Sequence, residues 1–138
     1  MASRLFSPIE LRGLSVANRI TVAPMCQYSA TDGVVGDWHL AHLGSFAQSG
    51  PGLIIAEATG VEPNGRITQG CTGLYDAATE AAFARIVGFM KSVGDTRVGI
   101  QLSHAGRKGS TVAPWEGGGL IEDAGAWEPD APSAVEYL

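Results

Sequence analysis

Three short apolar runs constrain the fold of this chain more than any other feature of the sequence. They cover residues 19–23, 52–56 and 98–102, and Gly or Pro residues bound them. Apolar residues follow one another almost without a break, whereas a strand with one face in water alternates apolar and polar residues. The pattern therefore predicts three strands of a parallel sheet that is covered on both faces.

Two amphipathic segments lie between these runs and predict helices. Asp37 is the predicted N-cap of the first helix, and Gly50-Pro51 closes it. Asp76 is the predicted N-cap of the second helix, and Gly94 stands where a C′ glycine belongs. The apolar stripes of the two helices consist of Leu40, Leu43, Ala47, Phe83, Ile86, Val87 and Met90. The resulting order, β-α-β-α-β, implies right-handed crossovers between parallel strands.

The regions on either side of this unit have a different character. Residues 9–16 alternate around Gly13 and predict a small N-terminal hairpin. Residues 109–138 are rich in Gly, Pro, Trp and acidic residues, and predict a long excursion loop after the third strand. Three parallel strands with two helices leave sheet edges unpaired, so we expect an incomplete fold. The predicted organisation is a single incomplete domain over 1–138, with the hairpin in 1–18, the strands and helices in 19–108, and the acidic loop in 109–138.

The net charge of −5 is unevenly distributed. Residues 109–138 hold six acidic side chains and no basic one, whereas residues 1–108 hold eight acidic and nine basic side chains. A tail of this sign repels nucleic acid and anionic lipid, so we expect neither as a partner. No apolar run approaches the ~18 residues of a membrane span, and the start does not resemble a signal peptide. We therefore expect a cytoplasmic protein whose two cysteines, Cys26 and Cys71, are free thiols.

The segments that follow the predicted strands are the candidate functional site, because sites in parallel α/β folds form at the carboxyl ends of strands. These segments are 23–28, 57–60 and 101–107. No glycine-rich dinucleotide fingerprint and no phosphate-binding P-loop follows any strand. The strand ends also lack the lysine or carboxylate pair expected of a phosphate-sugar lyase or isomerase on the same barrel, with Glu57 the sole carboxylate.

At these segments the sequence resembles the Old Yellow Enzyme family of FMN-dependent ene-reductases, in particular its thermophilic-like, cysteine-containing subgroup. The resemblance rests on residues 5–9, 18–20, 23–29, 54–58, 65–68 and 99–108, which follow one another in family order and with family spacing. It implies the N-terminal βαβαβ portion of a (β/α)8 TIM barrel that holds FMN at its top. It also implies a reaction in which NADPH reduces the flavin, and the flavin reduces an alkene conjugated to a carbonyl or nitro group.

The residue types at the strand ends suit such a cofactor. The Gln101 amide can both donate and accept along the pyrimidine edge of a flavin, and the small Ala58 lets the backbone approach the ring. Ala23-Pro24-Met25 offers an apolar ledge. By resemblance, Cys26 lies near the flavin and tunes its redox potential, and Tyr28 donates a hydrogen bond to the substrate carbonyl. The resemblance thus implies Cys26 and Tyr28 as catalytic residues, and Ala23, Pro24, Met25, Cys26, Ala58 and Gln101 as cofactor-binding residues.

Each residue also has a plainer interpretation, which the sequence leaves open. Cys26 alone reads as a small buried hydrophobe, Tyr28 as a packed loop residue, and Met25 as core filler. His39 and His42 lack a third ligand, so packing or capping is favoured over a metal site, and no metal is expected. The remaining polar residues near the strand ends are interpreted as structural or inert: Glu57, Cys71, His104 and Arg107.

A (β/α)8 barrel needs about 250 residues, and this chain has 138. We therefore expect a complementary C-terminal half of the same barrel as a partner, an enone-type small-molecule substrate, and a homo-oligomer once the barrel is complete. The alternative is a non-catalytic fragment that acts as a binding or assembly module.

Overall fold

The structure is a computed structural model that describes residues 3–137, so Met1, Ala2 and Leu138 of the predicted domain lie outside it. Short 3-10 helices stand at Arg4–Phe6, Pro63–Gly65, Gly106–Lys108 and Pro114–Glu116. The strands are β1 Ile9–Leu11, β2 Leu14–Val16, β3 Thr21–Val22, β4 Leu53–Gly60, β5 Thr72–Gly73 and β6 Arg97–Ser103. The helices are α1 Asp37–Ser49 and α2 Ala77–Val93.

The main sheet is parallel and centres on β4. Strand β3 pairs with β4 at Leu53 and Ile54, and β6 pairs with the other edge along its whole length. The two-residue β5 pairs with β4 at its carboxyl end, on the edge that β3 occupies further back. The three predicted parallel strands are therefore confirmed, although β3 is shorter than predicted and β4 continues past Ala56 to Gly60.

The predicted N-terminal hairpin is present as the antiparallel pair β1 and β2. Leu11 faces Leu14 across a two-residue turn. Both turn residues, Arg12 and Gly13, have positive φ angles of 48° and 86°. This backbone matches the right-handed twist of the flanking strands, as hairpin turns require.

The N-terminus of α1 departs by one residue from the sequence prediction. Gly36 is the N-cap, and Asp37, predicted to cap, is the first helical residue. The imidazole of His39, three residues into the chain from the cap, accepts the Gly36 N–H through Nδ1 at 3.2 Å. The Asp37 carboxylate instead pairs with Arg85 of α2 at 2.7 Å.

The two ends of α2 show one prediction confirmed and one wrong. Asp76 caps the helix by accepting the backbone N–H of Thr79 at 2.8 Å. Gly94 is extended rather than left-handed, with φ −168°. A Cβ at Gly94 would meet the carbonyl oxygen of Ala47 at 2.5 Å, so its role is to let α2 end close against α1.

The core lies between the helices and one face of the sheet. The buried apolar residues are Val35, Leu43, Ala47, Ile54, Ala56, Phe83, Ile86 and Met90, which include most of both predicted stripes. Full burial of a side chain such as Ile86 contributes roughly 1.5–3 kcal/mol. None of the helices within residues 3–137 is long and apolar enough to span a bilayer.

Candidate active site

A β-bulge in β4 determines which side chains meet at the candidate site. Ala56 pairs with Ile100 and Ala58 pairs with Gln101, so Glu57 is one extra residue in β4. Without the bulge, Ala58 would share the helix-facing side of Ala56, because side chains alternate along a strand. The extra residue turns Ala58 to the opposite face, next to Gln101.

The segment after β3, residues 23–28, lies beside the pair formed by Ala58 and Gln101. The backbone N–H of Gln27, the residue after Cys26, donates to the carboxylate of Glu57 at 2.9 Å, so this segment lies against β4. Ala23 and Met25 are exposed, Met25 by 49% of its surface. The side-chain amide of Gln101 is exposed and makes no hydrogen bond within residues 3–137. An unused amide, a thiol and an open apolar ledge together fit the edge of a flavin ring, although their roles stay predictions.

Tyr28 stands on a strained turn that a glycine makes possible. Its φ angle is 52°, a left-handed conformation that is uncommon for a bulky residue. A Cβ at Gly70 would lie 2.5 Å from the Tyr28 carbonyl oxygen, so only a glycine allows this approach. The N–H of Ala30 donates to the Gly70 carbonyl at 2.9 Å and fastens the turn.

The bulge residue Glu57 contacts the backbone of the segment that carries Cys26 and Tyr28. Its carboxylate is buried and accepts the backbone N–H of Gln27 at 2.9 Å through Oε2. Oε1 lies 3.3 Å from Nε2 of the buried His39, without the alignment of a hydrogen bond. Because Gln27 stands between Cys26 and Tyr28, Glu57 holds both predicted catalytic residues in place, and its interpretation as structural is supported.

The pKa values of the Cys26 and Cys71 thiols are shifted in opposite directions. The interaction of the two side chains is the largest cause, and it raises the pKa of Cys26 and lowers the pKa of Cys71 to about 6. Thr68 contributes to the lowered pKa of Cys71, since its backbone N–H and its hydroxyl both lie 3.4 Å from that sulfur. The interpretation of Cys71 as inert stays a prediction.

The Tyr28 side chain forms one wall of a cavity of about 370 Å³. Trp115 of the excursion loop meets the Tyr28 ring edge to face, with the ring centroids 5.2 Å apart. Burial raises the pKa of Tyr28, and the neighbouring Cys26, Cys71 and Glu57 add to the shift. The hydroxyl is thus protonated at neutral pH and can act as a hydrogen-bond donor.

The excursion loop folds back over the carboxyl ends of the strands. Arg107 donates to the Ser133 hydroxyl at 2.9 Å, and the Trp127 indole donates to the Asn64 carbonyl at 3.2 Å. His104 pairs with Glu62 at 2.7 Å and so fixes the segment that follows β6. His104 and Arg107 therefore order loops, as their sequence context suggests.

The histidines of α1 do not form a metal site with other residues. His39 caps the helix, and His42 packs edge to face on Phe46 with centroids 4.9 Å apart. Across residues 3–137, no three His, Cys, Asp or Glu side chains converge as metal ligands would.

Sequence reasoning missed four contributors to the site: Gly70, Cys71, Trp115 and the supporting role of Glu57 at Gln27. Glu57 carried a usable indication, because a carboxylate stood at the end of an otherwise apolar strand. The other three act through contacts between segments that are distant in sequence, and no local pattern marks them.

Comparison with known proteins agrees with this geometry. The sequence profile of the NADH:flavin oxidoreductase / NADH oxidase family matches residues 4–122. An NADH:flavin oxidoreductase of Gibberella zeae is 46% identical over 139 residues, covering 97% of this chain and 33% of its own. An NADPH dehydrogenase of Bacillus subtilis is 39% identical, covering 99% of this chain and 39% of its own.

Solved structures show the same fold. Morphinone reductase in complex with tetrahydroNAD superposes with a TM-score of 0.75 and 25% identity, over 96% of this chain and 42% of that one. Old Yellow Enzyme from Pichia sp. superposes with a TM-score of 0.72 and 27% identity, over 78% of this chain and 28% of that one. The chain spans between a third and two fifths of the length of these two curated relatives.

These matches confirm the predicted fold, the N-terminal part of a TIM barrel, and they support FMN and NADPH as the cofactors of the family. The predicted resemblance to Old Yellow Enzymes is likewise confirmed. The chain belongs to the NADH:flavin oxidoreductase / NADH oxidase family.

Proposed function

We propose that this chain supplies part of the flavin and substrate site of an NADPH-dependent oxidoreductase that reduces the C=C bond of alkenes activated by a carbonyl or nitro group. The observation that carries the proposal is the register of β4 and β6, which pairs Ala58 with Gln101. The segment after β3 is held beside this pair by the hydrogen bond from the Gln27 N–H to Glu57. The names of the relatives, NADPH dehydrogenase and NADH:flavin oxidoreductase, support the redox chemistry.

Bound FMN would supply the hydride transfer between nicotinamide and alkene. The residues of this chain would bind the flavin and orient it. The Gln101 carboxamide offers a donor and an acceptor to the pyrimidine edge of the ring, and Ala23-Pro24-Met25 forms an apolar surface beside it. The Cys26 thiol lies at the same edge, where a polarisable group alters the redox potential.

Tyr28 binds the substrate in this proposal. Its hydroxyl is kept protonated, so it can donate a hydrogen bond to the carbonyl or nitro oxygen and draw electron density from the alkene. The adjoining cavity, walled by Tyr28 and Trp115, suits a flat conjugated molecule. The excursion loop acts as a lid, because it is fastened across the strand ends by Arg107 and Trp127.

We also propose that residues 1–138 form one incomplete domain and that the C-terminal half of the same barrel is its partner. The outer edge of β6 is unpaired within residues 3–137. An apolar groove of about 260 Å³ runs between α2 and β6, lined in part by Phe83, Val87 and Val98. Further strands and helices of a barrel would cover both features. A homo-oligomer of the completed barrel remains a prediction.

Native mass spectrometry of the protein assembled with its C-terminal half tests the proposal. We expect a complex that carries FMN and releases it on denaturation. Gln101→Leu should lower the FMN affinity about tenfold, since the loss of paired hydrogen bonds costs about 1–2 kcal/mol. The matched control is Gln48→Leu, which removes the same amide from the exposed side of α1. Equal FMN affinity in both variants, or a folded complex without flavin, would refute the proposed site.

A further inference from the structure

Trp115 is an exposed aromatic side chain on a loop that hydrogen bonds hold in place. Its surface is 70% exposed, although the residue lies in the ordered 3-10 helix Pro114–Glu116. Thr111 and Leu120 form an antiparallel bridge that closes the loop on either side of this helix. An exposed indole on a fixed backbone offers a ligand a large aromatic surface that is already positioned.

The base of this loop is tied to the segment that supports Tyr28. The Thr111 N–H and hydroxyl both donate to the Ile67 carbonyl, at 3.0 and 3.1 Å. Three residues further along the chain, Gly70 packs on the Tyr28 backbone. The rings of Trp115 and Tyr28 meet edge to face, with their centroids 5.2 Å apart and their planes at 89°. The spacing of the two rings is therefore fixed through the backbone as well as through the ring contact.

The two rings form one side of the cavity of about 370 Å³, and the aliphatic side chains of Val112 and Ile121 contribute to its other walls. Small-molecule sites occupy roughly 300–1,000 Å³, so this cavity suits a small ligand. Because aromatic and aliphatic groups line it together, a flat apolar group can pack in it beside the exposed indole.

The charged side chains of the cavity are both acidic. Glu116 and Asp123 line it, and none of its lining residues within 3–137 is a lysine or an arginine. Each carboxylate accepts a backbone N–H of the loop, Glu116 from Ala113 at 3.1 Å and Asp123 from Gly125 at 2.8 Å. An anionic ligand would meet like charge and no counter-ion there, so the cavity favours an uncharged one.

We propose that Trp115 is a specificity-determining residue that selects uncharged alkenes bearing an aryl group. The aryl ring packs on the indole, while Tyr28 binds the carbonyl or nitro oxygen of the same molecule. An aryl group conjugated with the alkene keeps the whole ligand flat, so that it can contact both side chains at once. This inference rests on the proposed function, because it names the substrate class of that site.

Two ketones that differ in one substituent test the proposal. Benzylideneacetone and ethylideneacetone share the same enone and carry a phenyl or a methyl group on the β-carbon. NADPH oxidation is measured for each ketone with the FMN-loaded protein assembled with its C-terminal half. Trp115→Leu should lower kcat/KM about fivefold for the phenyl ketone and less than about twofold for the methyl ketone, because leucine keeps an apolar contact and loses the aromatic one. Trp115→Phe keeps a ring and should retain most of the preference.

Phe6→Leu is the matched control, because Phe6 is 66% exposed on another 3-10 helix and does not line the cavity. It should leave the ratio of the two kcat/KM values unchanged. A structural defect in Trp115→Leu would lower both values by the same factor and so leave the ratio unchanged as well. An equal ratio in native protein and Trp115→Leu would therefore overturn the inference and leave the proposed function standing. Native protein without any preference for the phenyl ketone would overturn it even if the variant failed to fold.

Reduction of neither ketone by the FMN-loaded protein would instead refute the proposed function. Equilibrium dialysis of the two ketones requires no turnover and then decides the inference alone. Tighter binding of the phenyl ketone to native protein than to Trp115→Leu would support it, and equal binding would overturn it.

Discussion

Replacement of Glu57 by Gln tests whether the bulge residue holds the site together. The carboxylate offers two oxygens, one to the Gln27 N–H at 2.9 Å and one toward His39 Nε2 at 3.3 Å. The His39 Nδ1 accepts the Gly36 N–H, so in the neutral ring the proton is on Nε2, which lies near the carboxylate without the alignment of a hydrogen bond. A glutamine has one oxygen, and its NH2 group must face one of these two donors.

The expected cost follows from that mismatch. A buried donor that loses its acceptor destabilises the fold by about 1–3 kcal/mol, and a hydrogen bond to a charged acceptor lies at the upper end of this range. We expect Glu57→Gln to lower the free energy of unfolding by about 2 kcal/mol. The loss should be measurable as a lower urea midpoint with an unchanged m-value.

Glu10→Gln is the matched control, because Glu10 is exposed on β1. It should change the free energy of unfolding by less than about 0.5 kcal/mol. A Glu57→Gln protein as stable as Glu10→Gln would show that neither donor depends on the carboxylate, and the account of how Cys26 and Tyr28 are positioned would be refuted.

Two further substitutions test the Tyr28 turn and the start of α2. Gly70→Ala puts a methyl group 2.5 Å from the Tyr28 carbonyl oxygen and should destabilise the protein by about 1–3 kcal/mol. In the control Gly88→Ala on α2, the added methyl group meets no atom within 4 Å, and the substitution should stabilise the protein by about 0.5–1 kcal/mol. Thermal melts that rank the two alanine variants in the opposite order would contradict the close approach at Gly70. The hydrogen bond from the Thr79 N–H lowers the pKa of Asp76. The charged carboxylate therefore stabilises the fold fully at pH values above the pKa of an ordinary carboxyl group. This stabilisation is lost as the pH falls through the lowered pKa of the folded state. Asp76→Asn should therefore unfold less steeply with acid below about pH 4 than the native protein, and identical acid titrations followed by circular dichroism would contradict this.

Local patterns in the sequence predicted much of the fold. Three features depend on residues near one another in the chain, so the sequence predicts them without tertiary information. They are the continuous apolar runs of the strands, the apolar stripes of the helices with their 3.6-residue period, and the Asp76 cap. Asp37 shows where this fails, because its carboxylate pairs with Arg85 of another helix while Gly36 caps α1, and that pairing depends on how the helices pack. Gly94 fails for the same reason, since its neighbour is the Ala47 carbonyl of another helix.

For the candidate site, the sequence likewise predicts which residues take part but not how they are arranged in space. The identities of Cys26, Tyr28, Ala58 and Gln101 stand in the sequence, at strand ends that the apolar runs already locate. That Ala58 faces Gln101 depends on the bulge at Glu57, because one extra residue in β4 reverses the alternation of every side chain beyond it.

The sequence by itself determined the strands, the helices and the residue types that gather at one edge of the sheet, since these follow from hydrophobic periodicity and chain order. Only the tertiary structure decided that Gly70 packs on the Tyr28 backbone and that Trp115 meets the Tyr28 ring. Such contacts join segments separated by tens of residues, and their geometry follows from packing and register, which no local pattern encodes.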